Sequence, residues 1–198
     1  MKKIKLYHGT EYQYDKLDLS LLNSFSEGYG IYMTSSPSYA ITYTGKLKKS
    51  NNVLTLNINK PKVYIKCNEQ SCIHEVEVPV SMISNEYTKH IPIKDFYNLY
   101  TKYYDNMTML QKVDFTKSDF KVFNKLVDVM LLDIDVSCCN SKNKRTKILE
   151  DSFKFMVGHG YHVIKVEQPT RNMVKEFYLM FDVDMFNNGK VYAIDEIK

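Results

Sequence analysis

Tryptophan is absent from this 198-residue chain, arginine occurs only at positions 145 and 171, and glycine occurs seven times. None of the four cysteines, 67, 72, 138 and 139, belongs to a CxxC pair. Each shortage excludes something. Apolar runs such as Val129-Met130-Leu131-Leu132 fall far short of the roughly 20 residues a bilayer-spanning helix needs, so no membrane partner is expected. Adjacent Cys138-Cys139 suit a tetrahedral zinc site poorly, so no metal is expected. Two arginines leave little for a site that grips phosphates through planar, two-pronged guanidinium contacts. Glycine stands at about half its usual share of roughly 7%. A chain this sparing of glycine is expected to place each one where backbone geometry demands it.

What is present points to a folded, mixed protein. The 16 Tyr and 10 Phe demand burial, and a net charge of +4 is close to balance, so disorder is excluded as the main state. The length suits one domain with a sizeable core. Lysine, asparagine and tyrosine are abundant, which fits an AT-rich coding bias better than a designed basic surface. A charge of +4 permits a polyanionic partner without arguing for one. The densest basic run, Lys142-Asn143-Lys144-Arg145-Thr146-Lys147, reads as a solvated loop, with a phosphate-contacting patch as the alternative. Met1-Lys2-Lys3-Ile4-Lys5 is basic but no apolar segment follows, so no signal peptide is expected. The cysteines then read as free thiols in a reducing cytoplasm.

Periodicity gives a coarse order of elements. Ile4 to His8 reads as a strand stopped by Gly9-Thr10. Residues 11–27 read as an irregular segment or a short helix. Gly28-Tyr29-Gly30 reads as a tight loop entering the strand Ile31-Tyr32-Met33. Ser35-Ser36-Pro37 opens a helix with a hydroxyl cap and an early proline, and Gly45 closes it. Residues 53–58, 62–65 and 75–78 alternate as strands. Helices are expected over Asp95–Leu110, Asp119–Leu132 and Thr146–Val157. Apolar residues recur there every three to four positions, as in Phe120, Phe123, Val127 and Met130. Strands are expected again over 161–166, 176–181 and 190–194, the last entered by a turn at Asn187-Asn188-Gly189. The chain reads as a single α+β domain over residues 1–198, with helices inserted at about 95–132.

Three stretches carry candidate chemistry. Leu6-Tyr7-His8-Gly9-Thr10 is a strand ending in histidine and glycine. Gly28-Tyr29-Gly30-Ile31-Tyr32 leads into a serine-rich helix start. Lys175-Glu176-Phe177-Tyr178-Leu179-Met180-Phe181-Asp182 is a strand opened by a carboxylate. Alone, His8 and Tyr32 read as core and Glu176 as a solvated strand end.

In this order they resemble the ADP-ribosyltransferases of the His-Tyr-Glu class, which includes diphtheria-type toxins and poly-ADP-ribose polymerases. A further similarity is Gly158-His159-Gly160-Tyr161-His162-Val163-Ile164, like the strand that precedes the glutamate strand in small members. The likeness covers residues 4–65 and 150–195 in outline. The stretch 95–132 has no counterpart in it. The resemblance implies two small packed antiparallel sheets forming an NAD cleft. It implies an enzyme that cleaves NAD+ at the nicotinamide–ribose bond and passes ADP-ribose to a macromolecular acceptor, a protein or a nucleic acid. NAD+ would be the co-substrate. It also implies site roles. Glu176 is the catalytic carboxylate facing the ribose. His8 hydrogen-bonds the ribose. Gly9 offers its backbone to the nicotinamide carboxamide, flanked by Thr10. Gly30 shapes the pocket and Tyr32 stacks on the nicotinamide. Tyr43 or Tyr39 supplies a second aromatic, and Ser38 is the nearest match to a carboxamide-binding serine. Glu167, on the neighbouring strand end, is a reserve for the carboxylate.

The chemistry needs these types. Breaking the nicotinamide–ribose bond builds positive charge on the ribose, which a fixed carboxylate stabilises in the transition state. Val174 stands where arginine-specific members carry Gln or Glu, which makes arginine a less favoured acceptor. Two other readings stand beside this one. A catalytically inactive NAD or ADP-ribose-binding module would share the fold. An NAD-using RNA 2′-phosphotransferase would share the His-Gly-Thr start but calls for more arginines. A small cytoplasmic enzyme of this kind fits a bacterial or phage toxin or effector, for which a neutralising protein partner is expected.

Overall fold

Alternating burial along the first strand sets the first pairing. Strand β1 (Lys3–Thr10) turns Leu6 and His8 inward and Lys3 and Lys5 outward. It lies antiparallel to β5 (Cys72–Pro79), Lys3 opposite Pro79 and His8 opposite His74. Ion pairs tie the two: Lys3 to the exposed Glu77 at 3.4 Å and Lys5 to the buried Glu75 at 3.0 Å. Strand β9 (Lys190–Ala193) completes a three-stranded antiparallel sheet on the far side of β5. The computed structural model describes residues 1–11, 16–17, 19, 22, 28–43, 54–55, 64–65, 71–85, 90–104, 107–132, 141–169 and 174–193.

A second sheet has the order β2 (Ile31–Met33), β8 (Val174–Met180), β7 (Val163–Pro169), β6 (Ile83–Asn85). Its strands are antiparallel except β6 and β7, which run parallel. The expectation of two purely antiparallel sheets is therefore corrected. A parallel neighbour needs a long crossover, and the helices between residues 93 and 158 supply it. A separate two-stranded pair joins β3 (Leu54–Thr55) to β4 (Tyr64–Ile65). The two larger sheets meet where Tyr7 and Thr34 exchange backbone hydrogen bonds of 2.8 and 2.9 Å.

The helices are α1 (Pro37–Ile41), α2 (Ile93–Thr101), α3 (Asp119–Leu131), α4 (Ser141–Gly158) and α5 (Val183–Asn187). Helix α3 buries Phe120, Phe123, Leu126, Val127 and Met130 against the second sheet's core. Phe181, just past β8, is met edge-on by Phe123 and Phe153, each with ring centroids 5.4 Å away, and by Phe120 at 6.4 Å. Asp119 fixes the start of α3. One of its carboxylate oxygens accepts from the N–H of His90 and of Ile91 and from the hydroxyl of buried Tyr161.

Several expectations change. The basic run 142–147 is not a loop. It is the first turns of α4, which begins five residues before the expected start. Lys and Arg are good helix formers, and the run gains partners. Lys144 lies over the Tyr104 ring, Arg145 donates to the Leu22 carbonyl at 2.7 Å, and Lys147 pairs with Asp151 at 2.9 Å. The helix expected over Asp95–Leu110 ends at Thr101, and a 3₁₀ turn follows at Met107–Lys112. Gly9-Thr10 does not stop β1; both residues pair, with Ile73 and Cys72. The short helix α5 was not foreseen, although its cap is legible: Asp182 accepts from the Met185 N–H at 2.9 Å. The expected segment 11–27 in large part, Gly45, most of 53–63, Cys67, Cys138 and Cys139 lie outside the described residues.

Candidate functional site

The inward pleat of β1 carries His8 to the junction of the two sheets. Its Nδ1 lies 2.7 Å from the backbone carbonyl of Tyr32. A carbonyl oxygen only accepts, so Nδ1 bears the proton and the neutral ring keeps an acceptor lone pair on Nε2. Burial holds the His8 pKa below its usual value, and the bond to Tyr32 opposes that shift. Gly9, next along, is buried in the same strand. Directly across on β5 is His74, its ring centroid 6.2 Å from that of His8. Phe186 of α5 packs on both rings, edge-on to His8 at 5.5 Å and stacked on His74 at 5.0 Å. This fixes the His8 ring from behind. Beside His74 lies the buried, free Cys72 thiol, 3.6 Å from Nε2, and burial pushes its pKa up.

His74 carries a pH consequence. It is 4% exposed, and burial first, then the neighbouring His8, lower its pKa to about 4. In the unfolded chain it titrates near 6.5. Between those values the unfolded chain binds the proton and the native chain does not. Stability is therefore full above about pH 6.5 and falls as the pH drops toward about 4. At ~1.36 kcal/mol per pH unit the loss is about 3 kcal/mol, and His8 acts in the same direction. Urea midpoints from pH 7 to pH 4 check this. His74→Gln should flatten much of the slope; an unchanged slope would assign the acid loss to other groups.

The glycine loop is shaped by geometry that a side chain does not tolerate. Gly28 has φ +110° and Gly30 φ +150°. A Cβ on Gly30 would stand 2.9 Å from the Leu179 Cβ. The Tyr32 hydroxyl turns back and donates to the Gly28 carbonyl at 3.1 Å, and its ring stacks on Phe177 at 5.8 Å. Downstream, the Ser36 hydroxyl caps α1 through the Tyr39 N–H and lies 3.0 Å from the Ser38 hydroxyl. Tyr39 and Tyr43 meet edge to face at 5.5 Å, and Tyr43 is 59% exposed. Ser38 and Tyr39 thus stand on the short helix α1 after β2, and Tyr43 lies just past its end.

Glu176 lies on β8, the strand paired with β2, two residues beyond the last β2–β8 pair. Its Cα partner on β7 is Glu167. Two carboxylates set across a ladder repel. Lys165 reduces that cost by pairing with both, at 2.7 Å to Glu176 and 3.0 Å to Glu167, and they in turn raise its pKa. Side chains alternate along a strand. The Tyr32 ring shares a face with Phe177 and Leu179, and Glu176 points to the other face with Lys165 and Glu167.

The structure therefore brings His8 against the Tyr32 backbone, with Gly9 and Thr10 next along β1, Gly30 just before β2, Ser38 on α1 and Tyr43 just past it. It puts Glu176 on the next strand, held by a lysine, with no contact to His8 or the Tyr32 ring among the described residues. Sequence reasoning missed Lys165, Phe186 and the role of His74. The strand expected over 161–166 contains Lys165, but nothing local marks its two carboxylate partners.

Comparison with protein families, with curated proteins and with solved structures returns no match. Among the described residues no group of three or more His, Cys, Asp or Glu is disposed to hold a metal ion. No helix among them is long and apolar enough to cross a membrane.

Proposed function

We propose that this protein is an ADP-ribosyltransferase that uses NAD+ as co-substrate. The observation that carries the reading is the bond between His8 and the Tyr32 carbonyl. It joins two motifs that lie 24 residues apart in the chain, and β8 with Glu176 pairs directly with the Tyr32 strand. Three sequence-distant motifs thus occupy adjoining strands.

The residues divide the work as follows. Nε2 of His8 accepts a hydrogen bond from a ribose hydroxyl. The Gly9 backbone approaches the carboxamide, as an unencumbered residue allows. Tyr32 and the Tyr39–Tyr43 pair offer aromatic faces to the nicotinamide, each contact worth roughly 0.5–1.5 kcal/mol. The bond from the nicotinamide nitrogen to ribose C1′ breaks, and neutral nicotinamide leaves with the electron pair. Glu176 stabilises the cationic sugar. For this the carboxylate leaves Lys165 and reaches round the edge of β8, which β2 no longer covers beyond Tyr178. The acceptor, on a protein or a nucleic acid, then attacks C1′ and releases a proton. A toxin or effector role, with a neutralising protein as partner, belongs to the same proposal.

One observation favours a second reading. The Glu176–Lys165–Glu167 group, with Glu176 facing away from the Tyr32 ring, suits a module that binds NAD or ADP-ribose without turnover. Purified protein incubated with NAD+ labelled in its adenylate and with cell lysate separates the two. Nicotinamide release with label on macromolecules is expected, and protease or nuclease treatment then identifies the acceptor class. NAD+ binding with no release from any lysate would leave the binding module. No binding at all would remove both readings.

A further inference from the structure

The stretch 95–132 has no counterpart in the resembled family, yet one of its side chains reaches into the glycine loop. Asn124 of α3 accepts the Tyr29 backbone N–H through Oδ1 at 2.8 Å, across 95 residues of chain. The fit is tight. A Cβ on Gly28 would stand 2.3 Å from the Asn124 Nδ2, so the loop backbone lies flat against the amide. The same Gly28 offers its carbonyl to the Tyr32 hydroxyl at 3.1 Å. A continuous path therefore runs from α3 through Asn124 and the Gly28–Tyr29 peptide to the Tyr32 ring. Asn124 is itself well held. Its neighbour Phe123 is fully buried and meets Phe181 edge-on at 5.4 Å, which anchors α3 to the end of β8.

We propose that Asn124 is a positioning residue for the nicotinamide end of the site. It holds the Gly28–Gly30 loop in the conformation that sets the Tyr32 ring, so the helical insertion controls affinity for the dinucleotide. This rests on the ADP-ribosyltransferase reading. It also gives the insertion a task in the site's own geometry. The loop's positive φ values at Gly28 and Gly30 leave it few ways to brace itself. An acceptor from outside supplies the brace.

The test uses the full chain and NAD+ itself. Calorimetric titration compares the parent with Asn124→Ala, which removes the acceptor, and Asn124→Asp, which keeps an acceptor oxygen in the same place. Alanine should weaken NAD+ binding about tenfold and aspartate less than about twofold, the scale of one hydrogen bond. Amide hydrogen exchange at Tyr29 should quicken in the alanine variant and stay slow in the aspartate variant. Loss of fold alone would not give that rescue. An alanine variant that binds like the parent, or an aspartate variant weakened as much as alanine, would overturn the proposal. A parent that binds no NAD+ removes the transferase reading and the proposal with it. A parent that binds while the alanine variant binds equally well removes the proposal alone.

Discussion

Glu176→Gln should leave a folded protein that binds NAD+ and releases nicotinamide about 10²–10³-fold more slowly, the usual cost of removing one preorganised stabiliser of transition-state charge. Glutamine keeps the shape and loses the charge. Glu176 is half-exposed, two residues into β8, and its described ion pair is with Lys165. Such a surface pair contributes little to folding, so the thermal midpoint should hardly move. Nicotinamide release under saturating NAD+ is the measurement. A variant with full activity would move the carboxylate role, and Glu167, directly across the ladder, is the next residue to replace. Lys165 sharpens the outcome. If Lys165 restrains the glutamate at rest, Lys165→Met should change the rate while leaving nucleotide affinity near that of the parent.

Phe181→Ala should cost about 3–5 kcal/mol of stability, the range for emptying a buried phenylalanine site. Phe181 is 1% exposed and stands where three aromatic rings from two helices converge on the end of β8. Truncation removes the shared surface of Phe120, Phe123 and Phe153 at once, and rings held in two separate helices cannot easily collapse into the void. Urea unfolding at neutral pH reads the loss. A cost under about 1 kcal/mol would mean that the helices repack freely, and that α3 is not anchored through this contact.

Much of the fold was legible where one physical rule acted alone. Phe120, Phe123, Val127 and Met130 recur at helical spacing, and α3 spans Asp119–Leu131. The alternation in Glu75–Val78 marked a strand, but β5 begins at Cys72 because Cys72, Ile73 and His74 are all buried and show no alternation to read. The start of α4 was hidden by its charge. The run 142–147 looks solvated until Tyr104, Leu22 and Asp151 are seen beside it. No local pattern marks a parallel partner, so the β6–β7 pairing was not accessible. The site divided in the same way. The motif order was visible along the chain. That His8 uses the Tyr32 backbone, and that Phe186 and His74 back its ring, depends on strands separated by tens of residues. The face on which Glu176 lies follows from register, which no single segment sets.

The pairing of β2 with β8 also governs when the site can exist. Strand β2 has three residues, Ile31–Met33, and its ladder partner is some 140 positions later at Val174–Met180. Until β8 has been made, the Tyr32 strand has no sheet to join, and Gly30 has no Leu179 to close against. Contacts this distant in sequence form late, after their loop-closure entropy has been met. A chain emerging from the ribosome therefore cannot close the glycine loop against Leu179 until β8 has been synthesised. Premature termination anywhere before residue 174 yields a product in which the Tyr32 strand lacks its partner β8.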